Sequence, residues 1–196
     1  MSSSGSKSSH APQEKAFLLS IHELPRRSGE YRDYRLNISL DRPFGLEMIA
    51  IPAKHPIEVE ITATSVDEGI LVRGNVRSEA IGECARCLAP VDMSVDQGFD
   101  ELYEYESKAA SLTEEDVETD QILMVVEESV DLSIPVRDAV ILALPVNPLC
   151  EPDCLGLCSI CGIPWRDLPA DHGHEERDPR WKALEGLAEK FKESGN

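Results

Sequence analysis

The sequence has few aromatic residues, far fewer basic than acidic residues, and no long hydrophobic run. Aromatic side chains make up 5% of the 196 residues, which argues against a nucleic-acid surface built on base stacking. The 19 Lys and Arg are outnumbered by 37 Asp and Glu, and the formal net charge is −18. Because neutralising phosphates takes Lys and Arg, a broad electrostatic grip on RNA or DNA is excluded. The longest strongly apolar run, 139–144, is far shorter than the ~20 residues of a membrane span.

Export signals and common catalytic motifs are missing as well. Residues 1–10 are rich in serine and contain no apolar segment like that of a secretory signal, so we expect a cytoplasmic protein. In that compartment the six cysteines are expected to be thiols or metal ligands rather than disulfides. The sequence shows no phosphate-binding glycine loop, no nucleophile elbow and no Ser/His/Asp set in a recognisable context. We therefore expect no catalytic residues.

The negative charge is concentrated in one stretch of the chain. Residues 96–131 contain 13 acidic side chains and 1 basic side chain, so this stretch carries −12 of the net charge of −18. Within it, residues 107–121 have too few apolar side chains to pack, and they are predicted to form an acidic mobile linker. A docking surface for a basic partner is the alternative. The rest of the chain is close to neutral, which leaves room for a small, local RNA contact.

Alternation of apolar and polar residues predicts an antiparallel sheet. Apolar or small side chains alternate with larger polar ones in two runs, 57–63 and 72–80, and four apolar side chains share one face of a third run, 91–99. This period is typical of half-buried strands, and the short connections between the runs imply a meander. Further strands are predicted at 15–21, 31–39 and 122–126, the last one buried, and a loop is predicted over 41–56.

Helices are predicted in the last third of the sequence. Ser133 has the side chain of an N-cap, and apolar residues at four-residue spacing follow it until Pro145 ends the helix. The apolar positions are Val136, Val140 and Leu144. A second helix is predicted over residues 179–193, where apolar side chains again share one face.

Together these patterns predict an α+β fold. It consists of an antiparallel β-meander sheet, one or two packed helices and a C-terminal cysteine-rich segment. The predicted organisation is one domain with a disordered tail (1–14), a β-rich part (15–106), an acidic mobile linker (107–121), and a part with the helix, the cysteine-rich segment and the C-terminal helix (122–196).

Four of the six cysteines lie close together in the sequence. Zinc prefers four tetrahedral ligands, and short C-x2–4-C spacings supply two of them from one tight turn. Cys158-x-x-Cys161 followed by Gly162 has the form of a zinc knuckle, in which backbone N–H groups turn toward a thiolate. Four thiolates leave no coordination position for water, so the metal is expected to be structural. We predict a Zn²⁺ site at Cys150, Cys154, Cys158 and Cys161.

Cys84 and Cys87 leave other interpretations open. This C-x-x-C pair lies between the second and third runs of the meander, and it can replace Cys150 and Cys154 as the partner of the knuckle. Closing the added loop of ~70 residues costs little more entropy, since the cost grows with the logarithm of length. A redox pair is a further interpretation, although the strand-to-helix context that activates thiols in thioredoxin-like enzymes is missing. The plainest interpretation makes the cysteines small buried apolar side chains.

Two polar strings are interpreted as solvated surface. Residues 171–175 include His172 and His174, but they lie in a polar loop between two prolines, so we interpret them as a solvated turn. Four arginines form the most basic cluster: Arg26, Arg27, Arg32 and Arg35. This cluster is the best candidate for a local contact with RNA or with an acidic protein.

Several motifs occur in a characteristic order along the chain. They are Cys84-x-Arg-Cys87-Leu, Phe99-x-Glu-Leu-Tyr103, the run from Asp131 to Pro145, the segment from Pro148 to Gly162, and Asp178-Pro-Arg-Trp181. In order and spacing they resemble the YceD family, the large ribosomal RNA subunit accumulation proteins. The full cysteine set resembles the actinobacterial branch of that family.

The resemblance implies a non-enzymatic cytoplasmic protein that supports the synthesis, processing or accumulation of large-subunit ribosomal RNA. It implies no catalytic residues. Because the chain is acidic, the expected partner is a ribosomal precursor or a basic ribosomal or assembly protein, with any RNA contact confined to a local patch. Neither a membrane nor DNA is expected as a partner. The alternative function is a zinc-stabilised thiol redox enzyme or redox-responsive switch that uses Cys84 and Cys87.

Overall fold

The structure, a computed structural model, describes residues 14–105 and 123–174. These residues belong to two units, one that ends at Cys154 and one that begins at Leu155. The first unit is mostly antiparallel β-sheet with one helix, and the second is cysteine-rich, so the predicted α+β fold is confirmed. The tail up to residue 13, the linker over 107–121 and the helix over 179–193 lie outside the described residues.

The described residues form nine strands, one α-helix and two short 3-10 turns. The strands are β1 (Leu18–Ser20), β2 (Tyr31–Ser39), β3 (Phe44–Gly45), β4 (Ile49–Ile51), β5 (Pro56–Val66), β6 (Gly69–Glu83), β7 (Pro90–Tyr105), β8 (Met124–Val125) and β9 (Ser129–Asp131). The helix α1 spans Ser133–Ala143, and the 3-10 turns span Glu14–Phe17 and Trp165–Asp167.

The large sheet is built around β6. Strand β7 pairs with the whole length of β6, from Gly69 to Glu83. On the other edge of β6, strand β5 pairs with its first part. Strand β2 adds to the outer edge of β5, and β4 pairs with the end of β6 and with β3. All these pairs are antiparallel, whereas β8 adds to β7 in parallel. Strands β1 and β9 form a separate two-stranded ribbon.

One face of the sheet and one face of α1 form the core. The alternating apolar side chains of β5 are all 3% exposed or less. Val136 and Val140 of α1 are fully buried, as their four-residue spacing predicts, and the helix packs against β7. Tyr103 of β7 is also buried, and its hydroxyl donates a hydrogen bond to the backbone carbonyl of Asp131 at 2.7 Å. This contact joins the sheet to the segment that leads into α1.

The start of α1 differs from the prediction in one detail. The helix begins at Ser133, but the cap position is Leu132, and the carboxylate of Asp131 accepts the N–H of Ser133 at 2.8 Å. A carboxylate at this end also suits the helix dipole. At the other end Leu144 is extended, as expected of a residue before Pro145. No helix in the described part of the chain is long and apolar enough to cross a membrane.

Three shorter predictions are corrected by the structure. The predicted loop over 41–56 contains β3 and β4, because Ile49 and Ile51 are buried against the sheet and order the segment. Only the middle of the predicted strand over 15–21 is a strand, since a 3-10 turn occupies its first part. Within the described part of the predicted buried strand 122–126, only Met124–Val125 form a strand, β8, and their side chains are half-buried rather than buried.

Candidate metal centres

The connection between β6 and β7 is a tight turn, here named the first knuckle (residues 84–89). The backbone N–H of Cys84 donates to the carbonyl of Ala89 at 2.7 Å. The N–H of Leu88 donates to the carbonyl of Cys84 at 2.9 Å, and Leu88 takes a left-handed φ of +59°. This reversal turns the N–H groups of Arg86 and Cys87 toward the Cys84 sulfur. The turn therefore offers charge-assisted hydrogen bonds to a thiolate.

Cys150 and Cys154 reach the first knuckle from the segment that follows α1. The N–H of Ala85 donates to the carbonyl of Pro148 at 2.8 Å. The guanidinium of Arg86 donates from Nη1 to the carbonyl of Cys154, also at 2.8 Å. These two hydrogen bonds hold the segment 148–154 against the end of the sheet, which brings two further thiols to the knuckle.

The four sulfurs have the spacing of a tetrahedral metal site. Sγ of Cys84 lies 3.8 Å from Sγ of Cys154, and Sγ of Cys87 lies 3.5 Å from Sγ of Cys150. All four atoms lie within 4.8 Å of one another, and none is in a disulfide. A tetrahedron with metal–sulfur bonds of ~2.3 Å has S···S edges of ~3.8 Å. This four-cysteine cluster (Cys84, Cys87, Cys150 and Cys154) is therefore suited to a metal ion.

Backbone donors and burial shift the pKa values in the four-cysteine cluster in opposite directions. Burial raises the pKa of the Cys84 thiol, but N–H groups of Cys150, Arg86 and Cys87 outweigh it and lower that pKa to about 6. Burial and then hydrogen bonds with the neighbouring thiols raise the pKa of Cys150 to about 12. Four sulfurs at this spacing repel one another when ionised, so the full set of thiolates requires a cation.

A second group of ligand atoms lies within residues 155–174. We name it the Cys2His2 cluster: Cys158, Cys161, His172 and His174. Its sulfur and ring nitrogen atoms all lie within 4.8 Å of one another. Nε2 of His174 is 3.3 Å from Sγ of Cys158, and Nε2 of His172 is 3.7 Å from Sγ of Cys161. The N–H groups of Cys161 and Ile160, followed by the His172 side chain, lower the pKa of Cys158 to about 6.

The structure divides the four cysteines of the predicted zinc site between the two clusters, and which residues bind a metal ion stays a prediction. Cys150 and Cys154 belong to the four-cysteine cluster, whereas Cys158 and Cys161 belong to the Cys2His2 cluster. In the string 171–175, His172 is half-buried and His174 is exposed, and the ring of each lies within 3.7 Å of a cysteine sulfur, a contact that the sequence did not predict. The chain after α1 returns to the sheet, so Cys150 and Cys154 lie beside cysteines 63 to 70 positions away in the sequence.

The residue after the second cysteine is left-handed both in the first knuckle and after Cys161, but the residue types differ. Leu88 has φ +59° and is 57% exposed, and Gly162 has φ +72°. A left-handed conformation costs a residue with a Cβ about 1 kcal/mol. We therefore expect Leu88→Gly to raise the free energy of unfolding of the metal-loaded protein by up to about 1 kcal/mol, and Gly162→Ala to lower it by a similar amount. Thermal and urea unfolding measure both changes.

Gly98→Ala is the control for this pair. Gly98 lies in β7 with no left-handed φ, and an added Cβ would make only an ordinary contact at 3.6 Å. Its replacement is therefore expected to lack the penalty of Gly162→Ala. Equal destabilisation by the two alanines would contradict the conformational argument.

Comparisons with known proteins assign the chain to a family. The family described as "Large ribosomal RNA subunit accumulation protein YceD" matches residues 72–188. The uncharacterized protein Rv2926c of Mycobacterium tuberculosis (strain ATCC 25618 / H37Rv) is 42% identical over 164 residues, which are 84% of this chain and 77% of the relative. ML1660 of Mycobacterium leprae (strain TN) is 34% identical, with 84% and 74% covered.

A more distant relative comes from another bacterium. YlbN of Bacillus subtilis (strain 168) is 22% identical over 176 residues, which are 89% of this chain and 96% of the relative. No solved structure matches the chain significantly. The family match includes every residue of the four-cysteine cluster and of the Cys2His2 cluster. On this match and on the mycobacterial identities, the chain belongs to the YceD family.

Proposed function

We propose that this protein is a non-enzymatic ribosome-biogenesis factor that acts in the cytoplasm. It supports the synthesis, processing or accumulation of large-subunit ribosomal RNA. The observation that carries this proposal is the YceD family match over residues 72–188, because the family's name describes that role. The matched region contains β7, α1 and both candidate metal clusters.

In this proposal the four-cysteine cluster holds a structural Zn²⁺ ion. A tetrahedral set of four thiolates is typical of zinc or iron–sulfur sites. Cys84, Cys87 and Cys154 are 0%, 5% and 4% exposed, so a bound ion would be shielded from water. The ion would link the β6–β7 turn to the segment after α1. Zinc at such a site stabilises the fold and supplies no open position for catalysis.

The charge of the protein supports a basic partner. Two exposed arginines of the N-terminal cluster lie beside carboxylates: Arg26 Nη2 is 3.4 Å from Glu128 Oε1, and Arg35 Nη2 is 3.1 Å from Glu60 Oε1. Arg32 is paired with a carboxylate as well. These carboxylates offset the positive charge that phosphate binding needs. We therefore propose a ribosomal precursor or a basic ribosomal or assembly protein as partner, with RNA contact confined to a local patch.

The surroundings of Cys84 and Cys87 do not favour the thiol redox alternative. Both side chains are buried, whereas reactive cysteines are usually partly exposed. The lowered pKa of Cys84 suits a metal ligand equally well, because metal binding also requires the thiolate.

Depletion of the protein in its own organism tests the proposed function. We expect the ratio of large-subunit to small-subunit ribosomal RNA to fall, because large-subunit precursors would assemble less efficiently. Expression of the wild-type chain in the depleted cells should restore the ratio. An unchanged ratio in cells shown by immunoblot to lack the protein would refute the proposal.

Sedimentation of cell extracts tests the partner. Full-length tagged protein is expected to migrate with large-subunit precursors in a sucrose gradient, and high salt is expected to release it if the contact is electrostatic. Migration at the position of free protein in both low and high salt would contradict binding to the precursor.

A further inference from the structure

We propose that the Cys2His2 cluster is a second zinc site, which binds its ion independently of the four-cysteine cluster. This inference goes beyond the proposed function, since it concerns the number of metal ions and not the role in ribosome assembly. The two clusters share no ligand, and each supplies the four side chains that a structural zinc site needs. The chain would then hold two ions with different ligand chemistry.

The first argument is that the turn around Cys158 has the same hydrogen bonds as the first knuckle. The N–H of Cys158 donates to the carbonyl of Ile163 at 2.8 Å, which matches the bond from Cys84 to Ala89. The N–H of Gly162 donates to the carbonyl of Cys158, also at 2.8 Å, which matches the bond made by Leu88. We name this turn the second knuckle (residues 158–163). Two unrelated sequences thus adopt one backbone geometry that presents donors to a thiolate.

The second argument is the placement of the histidines. The N–H of His172 donates to the carbonyl of Pro169 at 2.9 Å, and this turn returns the chain to the second knuckle. The rings of His172 and His174 lie 4.5 Å apart at 88°, and the ring of Trp165 contacts His172 edge-on at 5.5 Å. The contacts of 3.3 and 3.7 Å between their Nε2 atoms and the sulfurs lie close to the ~3.5 Å edge of a tetrahedron with Zn–S and Zn–N bonds.

The third argument is that residues 155–174, the described part of the second unit, bury few apolar side chains. Cys158 is the one buried side chain of an apolar type in this range, while Leu155, Ile160 and Ile163 are 76%, 51% and 45% exposed. The range has one 3-10 turn as its regular structure. Small units with so little apolar burial often rely on a metal ion or a disulfide for stability. The cysteines of this range form no disulfide, so the geometry points to a metal.

Metal content of the full chain, purified without chelator, is the first test. We expect two zinc ions per chain in the wild type and one in the double variant His172→Ala, His174→Ala, because the four-cysteine cluster keeps its ligands. His55→Ala is the matched control, since His55 belongs to neither cluster, and it should retain both ions. One ion per wild-type chain, or two in the double variant, would overturn the proposal.

X-ray absorption at the zinc edge of the wild type needs no variant and therefore does not depend on variant folding. Six cysteine sulfurs and two histidine nitrogens over two ions give an average of three sulfurs and one nitrogen per zinc. A shell of sulfur alone would overturn the proposal. Loss of ribosomal RNA accumulation is not a readout in either experiment, so failure of the second site and failure of the proposed function remain distinguishable.

Discussion

Replacing Cys84 by serine is expected to abolish metal binding at the site proposed for the four-cysteine cluster and to lower the thermal midpoint on the order of 10 °C. A ligand present at a thousand times its dissociation constant stabilises the native state by about 4 kcal/mol. For a chain of this length each kcal/mol shifts the midpoint by about 2–4 °C. Serine leaves three sulfurs, and its hydroxyl is not among the usual zinc ligands. The protein is therefore expected to lose most of the stabilisation that the ion provides.

The position of Cys84 explains why the expected effect is large. Cys84 is fully buried and joins β6 and β7, the two longest strands of the sheet. Its sulfur accepts N–H groups of Arg86 and Cys87, which would lose a charged acceptor when the thiolate is removed. Through Cys150 and Cys154 the same ion would hold the segment after α1. Loss of the ion would thus remove the link between the β6–β7 turn and the segment that follows α1.

Two comparisons control this prediction. Cys161→Ser alters the Cys2His2 cluster, so it should leave the ion of the four-cysteine cluster in place and shift the midpoint less. A strong chelator applied to the wild type should lower the midpoint at least as far as Cys84→Ser does, because it removes the ions proposed for both clusters. Its effect on Cys84→Ser should be smaller, since only the ion proposed for the Cys2His2 cluster remains to be removed. Metal-depleted wild type that melts at the same temperature as loaded protein would contradict a structural role for the ion.

The sheet was predictable from the sequence because its strands are buried on one face only. Strand β2 spans the predicted residues 31–39, and β5, β6 and β7 each contain a predicted run. Strand β7 continues beyond its run to Tyr105, through acidic residues on the solvent side. There Asp100 Oδ1 is 2.6 Å from Nε of Arg73 on β6. A polar pair across strands extends a sheet without leaving an apolar signal in the sequence.

Elements of two or three residues could not be predicted in the same way. Strands β3 and β4 lie in a segment with three prolines, and their pairing depends on burial of Ile49 and Ile51 against β6. The parallel pairing of β8 with β7 likewise depends on where the chain re-enters the sheet. Such tertiary contacts decide short segments whatever their local propensity.

The metal clusters show the same limit. The knuckle form of Cys158-x-x-Cys161-Gly162 was visible in the sequence, because the glycine marks a left-handed position. At the equivalent position of the first knuckle the left-handed residue is Leu88, and a leucine does not indicate a left-handed backbone. His172 and His174 lie in a polar loop between two prolines, and only the fold brings them beside Cys158 and Cys161. The fold, and not the order of the cysteines and histidines in the sequence, decides which of them lie together.

Tyr103 carries the second large prediction, because it joins the sheet to α1. Its ring is 1% exposed in β7, and its hydroxyl donates to the carbonyl of Asp131 at 2.7 Å. We expect Tyr103→Ala to lower the free energy of unfolding by about 3–5 kcal/mol through loss of burial and creation of a cavity. Tyr103→Phe keeps the ring and should cost about 1 kcal/mol, the usual contribution of one hydrogen bond. Urea unfolding of both variants measures the two contributions separately.

The neighbouring residue supplies the matched control for Tyr103. Leu102 lies next to it in β7 and faces the other side of the sheet, where it is 37% exposed. Leu102→Ala is therefore expected to cost much less than Tyr103→Ala, since little buried apolar area is lost. A cost as large as that of Tyr103→Ala would mean that both faces of β7 are buried at this point, contrary to the structure. If Tyr103→Phe proved as costly as Tyr103→Ala, the hydrogen bond to Asp131 rather than ring burial would be what holds α1 to the sheet.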